Sequence, residues 1–278
     1  MKFVELLARA ERANDSLLCV GLDPEPARFP AGLAGDASCI FDFCAQIVDA
    51  THDLVIAFKP QIAYFAAHRA EAQLERLIAY IRSVAPTVPV ILDAKRGDIG
   101  STAQQYAVEA FERDGADALT LSPFMGFDSI EPYLAYPDKG LFLLCRTSNA
   151  GGSDLQARVL DNGERLFEHI ARLAAGPWNR SGQLGLVVGA TYPQELARVR
   201  EIAPELPLLI PGVGAQGGDA PGTVRLAWRQ QQGRTVSPTI VNSSRAILYA
   251  SSGPDFAAHA RMAAIAARQA LQRGRFSA

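Results

Sequence analysis

The stretch Leu92-Asp93-Ala94-Lys95-Arg96-Gly97-Asp98 gathers two carboxylates around one ammonium. It continues the apolar run Val88-Pro89-Val90-Ile91, which reads as a buried strand because it is short, β-branched and interrupted by Pro. A strand sends residues i and i+2 to one face, so Asp93 and Lys95 point the same way at its C-terminal end. Asp98, in the loop just beyond, comes close enough to approach Lys95. Such a cluster is costly to place in a partly dry cleft, and the anions keep the lysine charged. An ammonium held between two carboxylates can donate a proton to a reacting atom. The plain alternative is a surface ion pair at a strand end. Lys59, in Ala57-Phe58-Lys59-Pro60, also closes an apolar run. It can reach Asp93 on a neighbouring strand and extend the cluster to an alternating Lys59–Asp93–Lys95–Asp98 array, or simply snorkel at a rim.

Two later features suit an anionic ligand. Arg245 follows Ile240-Val241-Asn242-Ser243-Ser244, where a strand ends and a short helix can start. An arginine there adds bidentate hydrogen bonds to those of helix N-terminal amides, a phosphate-binding combination, although it can equally pair with a neighbouring acid. Gly212-Val213-Gly214-Ala215-Gln216-Gly217 matches G-x-G-x-x-G, but it comes late, follows Pro211 and lacks the acidic strand end of a dinucleotide-binding unit. Its bare backbone still allows close approach to a phosphate.

These residues need a frame. Strand-like runs fall at 17–23, 55–60, 88–95, 118–123, 141–147, 184–191, 206–214 and 239–244. Several are almost continuously apolar, as parallel strands covered on both faces are. Helical patterns lie between them, at 74–81 and at 101–113, the latter with Ser/Thr cap candidates, and a last one spans 255–272. Eight strand–helix units in about 250 residues is the arithmetic of an α/β (β/α)8 TIM barrel; an open doubly wound sheet is the structural rival. Asp23, Lys59, Asp93, Lys95, Ser148, Gln216 and Arg245 all fall at or just past strand ends, where barrels assemble active sites, so we expect one barrel domain over 1–278. The long segments 149–163 and 214–238 are candidate lids, the second with a short helix around 224–231.

Composition narrows the function. The 278 residues carry a net charge of −2 with no basic block, which disfavours nucleic acid as a partner. No apolar run is long enough to span a membrane, and residues 1–14 read as an amphipathic helix, not a signal peptide. Four cysteines without a C-x-x-C pair fit a reducing cytoplasm. The four histidines are scattered without metal-ligand spacing, and no G-x-S-x-G elbow occurs.

Taken together the motifs resemble the orotidine 5′-monophosphate decarboxylase family. The resemblance runs through Gly21-Leu22-Asp23-Pro24, Phe58-Lys59-Pro60, Leu92 to Thr102, Arg146-Thr147-Ser148-Asn149, Pro211 to Asp219, and Arg245. The D-x-K-x-x-D element alone is shared with related sugar-phosphate barrels; the other motifs make the match specific, and Arg-Thr-Ser-Asn is similar to the longer bacterial branch. One departure is Asn242-Ser243-Ser244, where the family pattern has a Gly near the phosphate. The resemblance implies a cofactor-free, metal-free, cytoplasmic enzyme of UMP biosynthesis acting as a homodimer on orotidine 5′-monophosphate. It implies that Lys95 protonates C6 as CO2 leaves, that Asp93 lies against the substrate carboxylate, and that Lys59 bridges Asp93 and a ribose hydroxyl. Asp23 would also contact the ribose, Ser148 the pyrimidine, Gln216 both phosphate and base, and Arg245 the phosphate. Asp98, with Ile99 and Thr102, would serve the neighbouring subunit's site.

Three rivals differ in their requirements. A sugar-phosphate decarboxylase or aldolase would use the acids around Mg2+ and fail with EDTA. A non-catalytic phosphate-ligand barrel would bind UMP without turnover. A nicotinamide-dependent enzyme would use the glycine run.

Overall fold

The computed structural model describes residues 1–213 and 218–276. Eight parallel strands form its centre: β1 (Leu18–Leu22), β2 (Ala57–Pro60), β3 (Ile91–Arg96), β4 (Ala118–Leu121), β5 (Gly140–Arg146), β6 (Leu184–Val188), β7 (Leu208–Ile210) and β10 (Thr239–Ser243). Their order is β2-β1-β10-β7-β6-β5-β4-β3. Bridges Phe58↔Val90 and Gln61↔Asp93 join β2 to β3 and close the ring. The architecture is the (β/α)8 TIM barrel, and each of the eight expected runs overlaps one barrel strand.

The strands are legible because both of their faces are covered. Every residue of β1, β2, β4, β6 and β7 is buried. The outer layer comprises α2 (Ile40–Thr51), α3 (Glu71–Val84), α4 (Gly100–Val108), α5 (Leu166–Ala175), α6 (Pro193–Ile202), α7 (Ala220–Ala227) and α8 (Phe256–Phe276). An extra helix, α1 (Phe3–Asn14), precedes β1 and covers the opposite end from the strand C-termini. Its Phe3 ring packs edge-on against Phe142, centroids 5.7 Å apart. Gly140 leaves the room: a Cβ there would lie 2.4 Å from the Phe3 ring. Burying such a ring is worth roughly 1.5–3 kcal/mol, so α1 seals the end away from the chemistry. Among the described residues no helix is long and apolar enough to cross a membrane.

Three local expectations change. The helix expected at 101–113 is α4 followed by a π-helical turn, Glu109–Arg113, and no side chain caps its start at Ile99. Ser101 and Thr102 lie within its first turn. The short helix expected around 224–231 starts earlier, as α7, because Asp219 caps it by accepting from Gly222 N–H (3.1 Å) and Pro221 sits in its first turn. The chain then forms an antiparallel hairpin, β8 (Arg229–Gln231) and β9 (Arg234–Ser237). Gln232 and Gly233, at φ +49° and +75°, make its two-residue turn of left-handed residues. The segment 149–163 is not wholly loop: it holds a short helix, Gly152–Leu155.

Candidate active site

β1, β2 and β3 deliver the charged cluster side by side. Gly21 pairs with Lys59, and Gln61 bridges to Asp93, so Asp23 and Asp93 stand level with Gln61 at the strand C-termini, with Lys59 two residues behind them. Lys59 Nζ donates to Asp93 Oδ2 at 2.8 Å, and Lys95 Nζ donates to Oδ1 at 2.7 Å. The Thr120 hydroxyl on β4 donates to the same Oδ1 at 2.9 Å. Asp93 and Lys59 are 8 % and 5 % exposed, whereas the Lys95 side chain is 46 % exposed. Asp93 is therefore a buried anion whose two oxygens are both satisfied, and Lys95 is the member of the cluster that faces outward.

Burial by itself would raise the Asp93 carboxyl pKa, but the Lys59 and Lys95 ammoniums together outweigh it and hold Asp93 well below the carboxylate range. Burial likewise opposes the Lys59 ammonium, and Asp93, then Asp23, outweigh it and push Lys59 upward. Beneath them burial pushes the Cys19 thiol up to about 12, so it stays neutral beside the ions.

The strand geometry at Lys95 is not the regular alternation expected. The β3–β4 register shifts between Leu92 and Arg96, and Lys95 sits in the left-handed region at φ +48°. Its ammonium meets Asp93 through that kink.

Asp98 does not join this array. Its carboxylate accepts from the Ile99 N–H at 2.8 Å, and no ion pair with Lys95 forms. The chain turns away after Lys95, through Gly97 to Gly100 at φ +56°, and leaves Ile99 and Thr102 exposed on the outer surface. The four-residue array is thus a three-residue one within the chain, Lys59–Asp93–Lys95, with Thr120 as its uncharged member.

The cluster opens into a cavity of about 300 Å3 whose lining includes Asp23, Lys59, Asp93, Lys95, Thr120, Ser148, Asn242 and Arg245. Asp98, Ile99 and Thr102 are not part of that lining. Asp23 is held by Tyr249, which donates to its carbonyl at 2.9 Å and accepts from Glu25 N–H at 2.7 Å. The buried Asp23 Oδ1 and Asn242 Oδ1 have no hydrogen-bond partner among the described residues. Arg245 opens a short helix, Arg245–Leu248, and is exposed without an ion pair among the described residues. Ser148 is presented by the turn after β5, and Thr191 Oγ1 donates to its carbonyl at 3.1 Å. Gln216, with Gly214 and Gly217 of the glycine run, lies outside the described residues.

Sequence reasoning missed Thr120 and treated Asn242 only as a departure from a glycine pattern. The available signal was the same in both cases: a polar residue inside an apolar strand, close to its C-terminal end. Formally the cavity carries Lys59, Lys95 and Arg245 against Asp23 and Asp93. It can hold an anion at Arg245, accept hydrogen bonds from hydroxyls at Asp23, and present an ammonium to a reacting atom.

Known proteins share the barrel and the sequence. The family model described as "Orotidine 5′-phosphate decarboxylase / HUMPS family" matches residues 16–260. Proteins named orotidine 5′-phosphate decarboxylase from Methylibium petroleiphilum and Polaromonas naphthalenivorans are 71% and 72% identical to this chain. Each match covers 99% of this chain, and 100% and 97% of those proteins respectively. The structure of Leishmania donovani OMP decarboxylase superposes with a TM-score of 0.85 at 38% identity, covering 100% of both chains. With the family model matching residues 16–260 and relatives alike over their whole length, the chain belongs to the orotidine 5′-phosphate decarboxylase / HUMPS family.

Proposed function

We propose that this chain decarboxylates orotidine 5′-monophosphate to UMP and CO2 without a cofactor, with Lys95 as the proton donor to C6. The observation that carries the reading is the Lys59–Asp93–Lys95 array, set in a cavity that also reaches Arg245. Loss of CO2 breaks the C6–carboxylate bond and leaves its electron pair on C6, where no conjugated group absorbs it. An ammonium already fixed beside that carbon stabilises the charge as it forms, at no reorganisation cost, and then transfers a proton to it. Lys95 is the exposed end of the array and holds three N–H donors, so it can keep Asp93 while turning one donor to the substrate. Asp93 stays ionised because two ammoniums outweigh its burial, and its repulsion of the substrate carboxylate is relieved as CO2 departs.

In this reading Lys59 and Asp23 receive the ribose hydroxyls, Ser148 meets the pyrimidine, and Arg245 clamps the phosphate. Gln216 completes the phosphate and base contacts. Phosphate binding far from C6 then supplies energy for positioning. Asp98, Ile99 and Thr102 act on the site of a second copy in a homodimer. Their exposure outside their own chain's cavity favours this, as do Phe124 and Met125, 78% and 48% exposed on the adjoining loop after β4. The family match across 16–260 supports one catalytic domain. The alternative with Mg2+ needs the Asp93 oxygens open to a cation, whereas both are engaged by ammoniums.

The test is the absorbance change of orotidine 5′-monophosphate with purified protein, with and without EDTA. Conversion unaffected by EDTA is the expected result. Binding of UMP without conversion, or conversion lost with EDTA, overturns the reading.

A further inference from the structure

Arg146 is the last residue of β5 and is only 1% exposed. It does not line the cavity, yet the three residues after it, Thr147, Ser148 and Asn149, all do. A fully buried guanidinium one residue behind a cavity wall needs a reason, because burying an ion is costly unless all its donors are used.

Its donors are used to hold that wall. Nε donates to Glu195, at the start of α6. Nη1 donates to the Thr147 carbonyl at 3.2 Å and Nη2 to Ser153 Oγ at 3.0 Å. The guanidinium plane lies 3.8 Å over the Tyr192 ring. Gln156 completes the frame: its Oε1 accepts from Thr147 N–H at 2.8 Å, and its Nε2 donates to Thr147 Oγ1 at 2.9 Å. Thr147 Oγ1 in turn donates to Asn149 Oδ1 at 2.7 Å. From the other side Gly189 donates its N–H to the Arg146 carbonyl at 2.7 Å, and a Cβ at Gly189 would lie 2.7 Å from Ser148 Cα. Ser148 is therefore seated between a glycine that touches its backbone and a guanidinium frame behind it.

We infer that Arg146, through Glu195, Gln156 and Tyr192, is a positioning residue that sets where Ser148 and Asn149 meet the base of the nucleotide. Only a planar fork with five donors satisfies a carboxylate, a carbonyl and a hydroxyl at once while stacking on a ring; a lysine cannot. The inference rests on the reading that the cavity holds a pyrimidine nucleotide with its phosphate at Arg245. It separates two parts of the ligand. A displaced Thr147–Asn149 segment weakens recognition of the base but leaves ribose and phosphate contacts in place.

The experiment measures dissociation constants of UMP and of ribose 5-phosphate, which lacks the base, for the wild type, Arg146→Lys and Glu195→Gln. The wild type binds UMP more tightly than ribose 5-phosphate. In Arg146→Lys the UMP constant rises on the order of tenfold or more, since displacements of about 1 Å at a site have effects of that order, while that of ribose 5-phosphate stays within about twofold. Glu195→Gln, which preserves the shape of the side chain and is checked for folding by circular dichroism, shifts the same ratio in the same direction. On a Ser148→Ala background, Arg146→Lys produces a smaller further loss. Equal weakening of both ligands, or no change in either, overturns the positioning role. A wild type that binds the two ligands alike overturns the nucleotide reading itself and this inference with it.

Discussion

The Thr120 hydroxyl accepts the backbone N–H of Lys95 at 2.9 Å and of Ala94 at 3.0 Å while donating to Asp93 at 2.9 Å. One oxygen thus fixes both the charge partner of Lys95 and the kinked backbone that carries it. An L-residue in the left-handed region costs of order 1 kcal/mol, and it persists where surrounding bonds over-determine it. Thr120 supplies those bonds from the neighbouring strand.

Thr120→Val keeps the shape and the β-branch but removes the oxygen. Two backbone N–H groups then lose their acceptor and Asp93 loses a donor, in a region where Thr120 is 1% exposed. A stability loss of about 1–3 kcal/mol follows from the unsatisfied groups. The ammonium of Lys95 should also lose its fixed position, so kcat falls while UMP affinity changes little. Chemical denaturation and steady-state kinetics check both; an unchanged kcat would show that Lys95 needs no such support.

Lys95→Ala removes the proposed proton donor and leaves the Lys59–Asp93 pair without its third member. Turnover should become undetectable, because the remaining ammonium is buried behind Asp93. UMP should still bind within roughly an order of magnitude, since ribose and phosphate contacts lie elsewhere. Near-wild-type turnover in this variant would remove Lys95 from the mechanism.

How much of this was readable from residue types has a physical boundary. The eight strands were readable because burial on both faces forces continuous apolar runs, and polar residues at their ends therefore stand out. Lys59 and Asp93 are visible for that reason. Thr120 is marked only as a polar residue near the end of an apolar strand; its contact joins residues 27 positions apart and threonine is an ordinary strand former, so its partner is not legible locally. The left-handed Lys95 has no signature in its residue type. The kink there, followed by Gly97 and Gly100, also decides where Asp98 goes, which residue types between 95 and 100 do not announce. The Gln232-Gly233 turn lacks the Asn or Asp that usually announces a hairpin, so a helix reading was carried one turn too far.

The Lys59–Asp93 pair should add no pH dependence to stability over a wide range. The Asp93 carboxyl is depressed below its ordinary 3.8, so its contribution is present above that value and lost as pH falls through the folded value. Lys59 is raised above 10.5, so its contribution is present below 10.5 and lost as pH rises through the folded value. Neither group titrates between about pH 4 and 10. In Asp93→Asn the burial of Lys59 loses its chief opponent, and its folded pKa drops below the unfolded one. The unfolded state then binds the extra proton, so stability rises with pH between neutrality and about pH 10. Groups other than this pair titrate alike in the two proteins, so the melting temperature of the variant relative to the wild type should climb as pH rises from neutrality. Parallel curves would mean that Asp93 does not hold the charge on Lys59.

Arg245→Ala should act on affinity. The residue is exposed at the cavity mouth and distant in role from the array, and a charge-assisted hydrogen bond contributes about 1.5–3 kcal/mol. KM for orotidine 5′-monophosphate should rise by roughly one to two orders of magnitude, with the smaller effect on kcat at saturation. Ribose 5-phosphate affinity should fall in parallel, whereas uridine, which lacks the phosphate, should bind as it does to the wild type. A loss of uridine binding would mean that Arg245 shapes the cavity instead of holding an anion.

Whether Asp98 serves its own cavity or that of a second copy can be decided by mixing two inactive variants. Lys95→Ala lacks the proton donor of its own site. Asp98→Ala lacks the carboxylate that a two-fold partner would contribute. If Asp98 crosses the interface, a mixed dimer holds one doubly damaged site and one intact site, because the Asp98→Ala chain keeps its Lys95 and receives Asp98 from its neighbour. Statistical exchange makes half the dimers mixed, so about one quarter of the wild-type activity returns. If Asp98 acts within its own chain, both sites of every mixed dimer stay damaged and no activity returns. The geometry favours recovery: among the described residues the Asp98 side chain bonds to Ile99 N–H alone and sits outside the cavity lining, while Lys95 already has Asp93 at 2.7 Å. The assay needs subunits that exchange, which mass measurement of differently tagged chains establishes independently of turnover. Mixed dimers present without activity would return Asp98 to its own subunit and leave the exposed Ile99–Thr102 surface without a catalytic role.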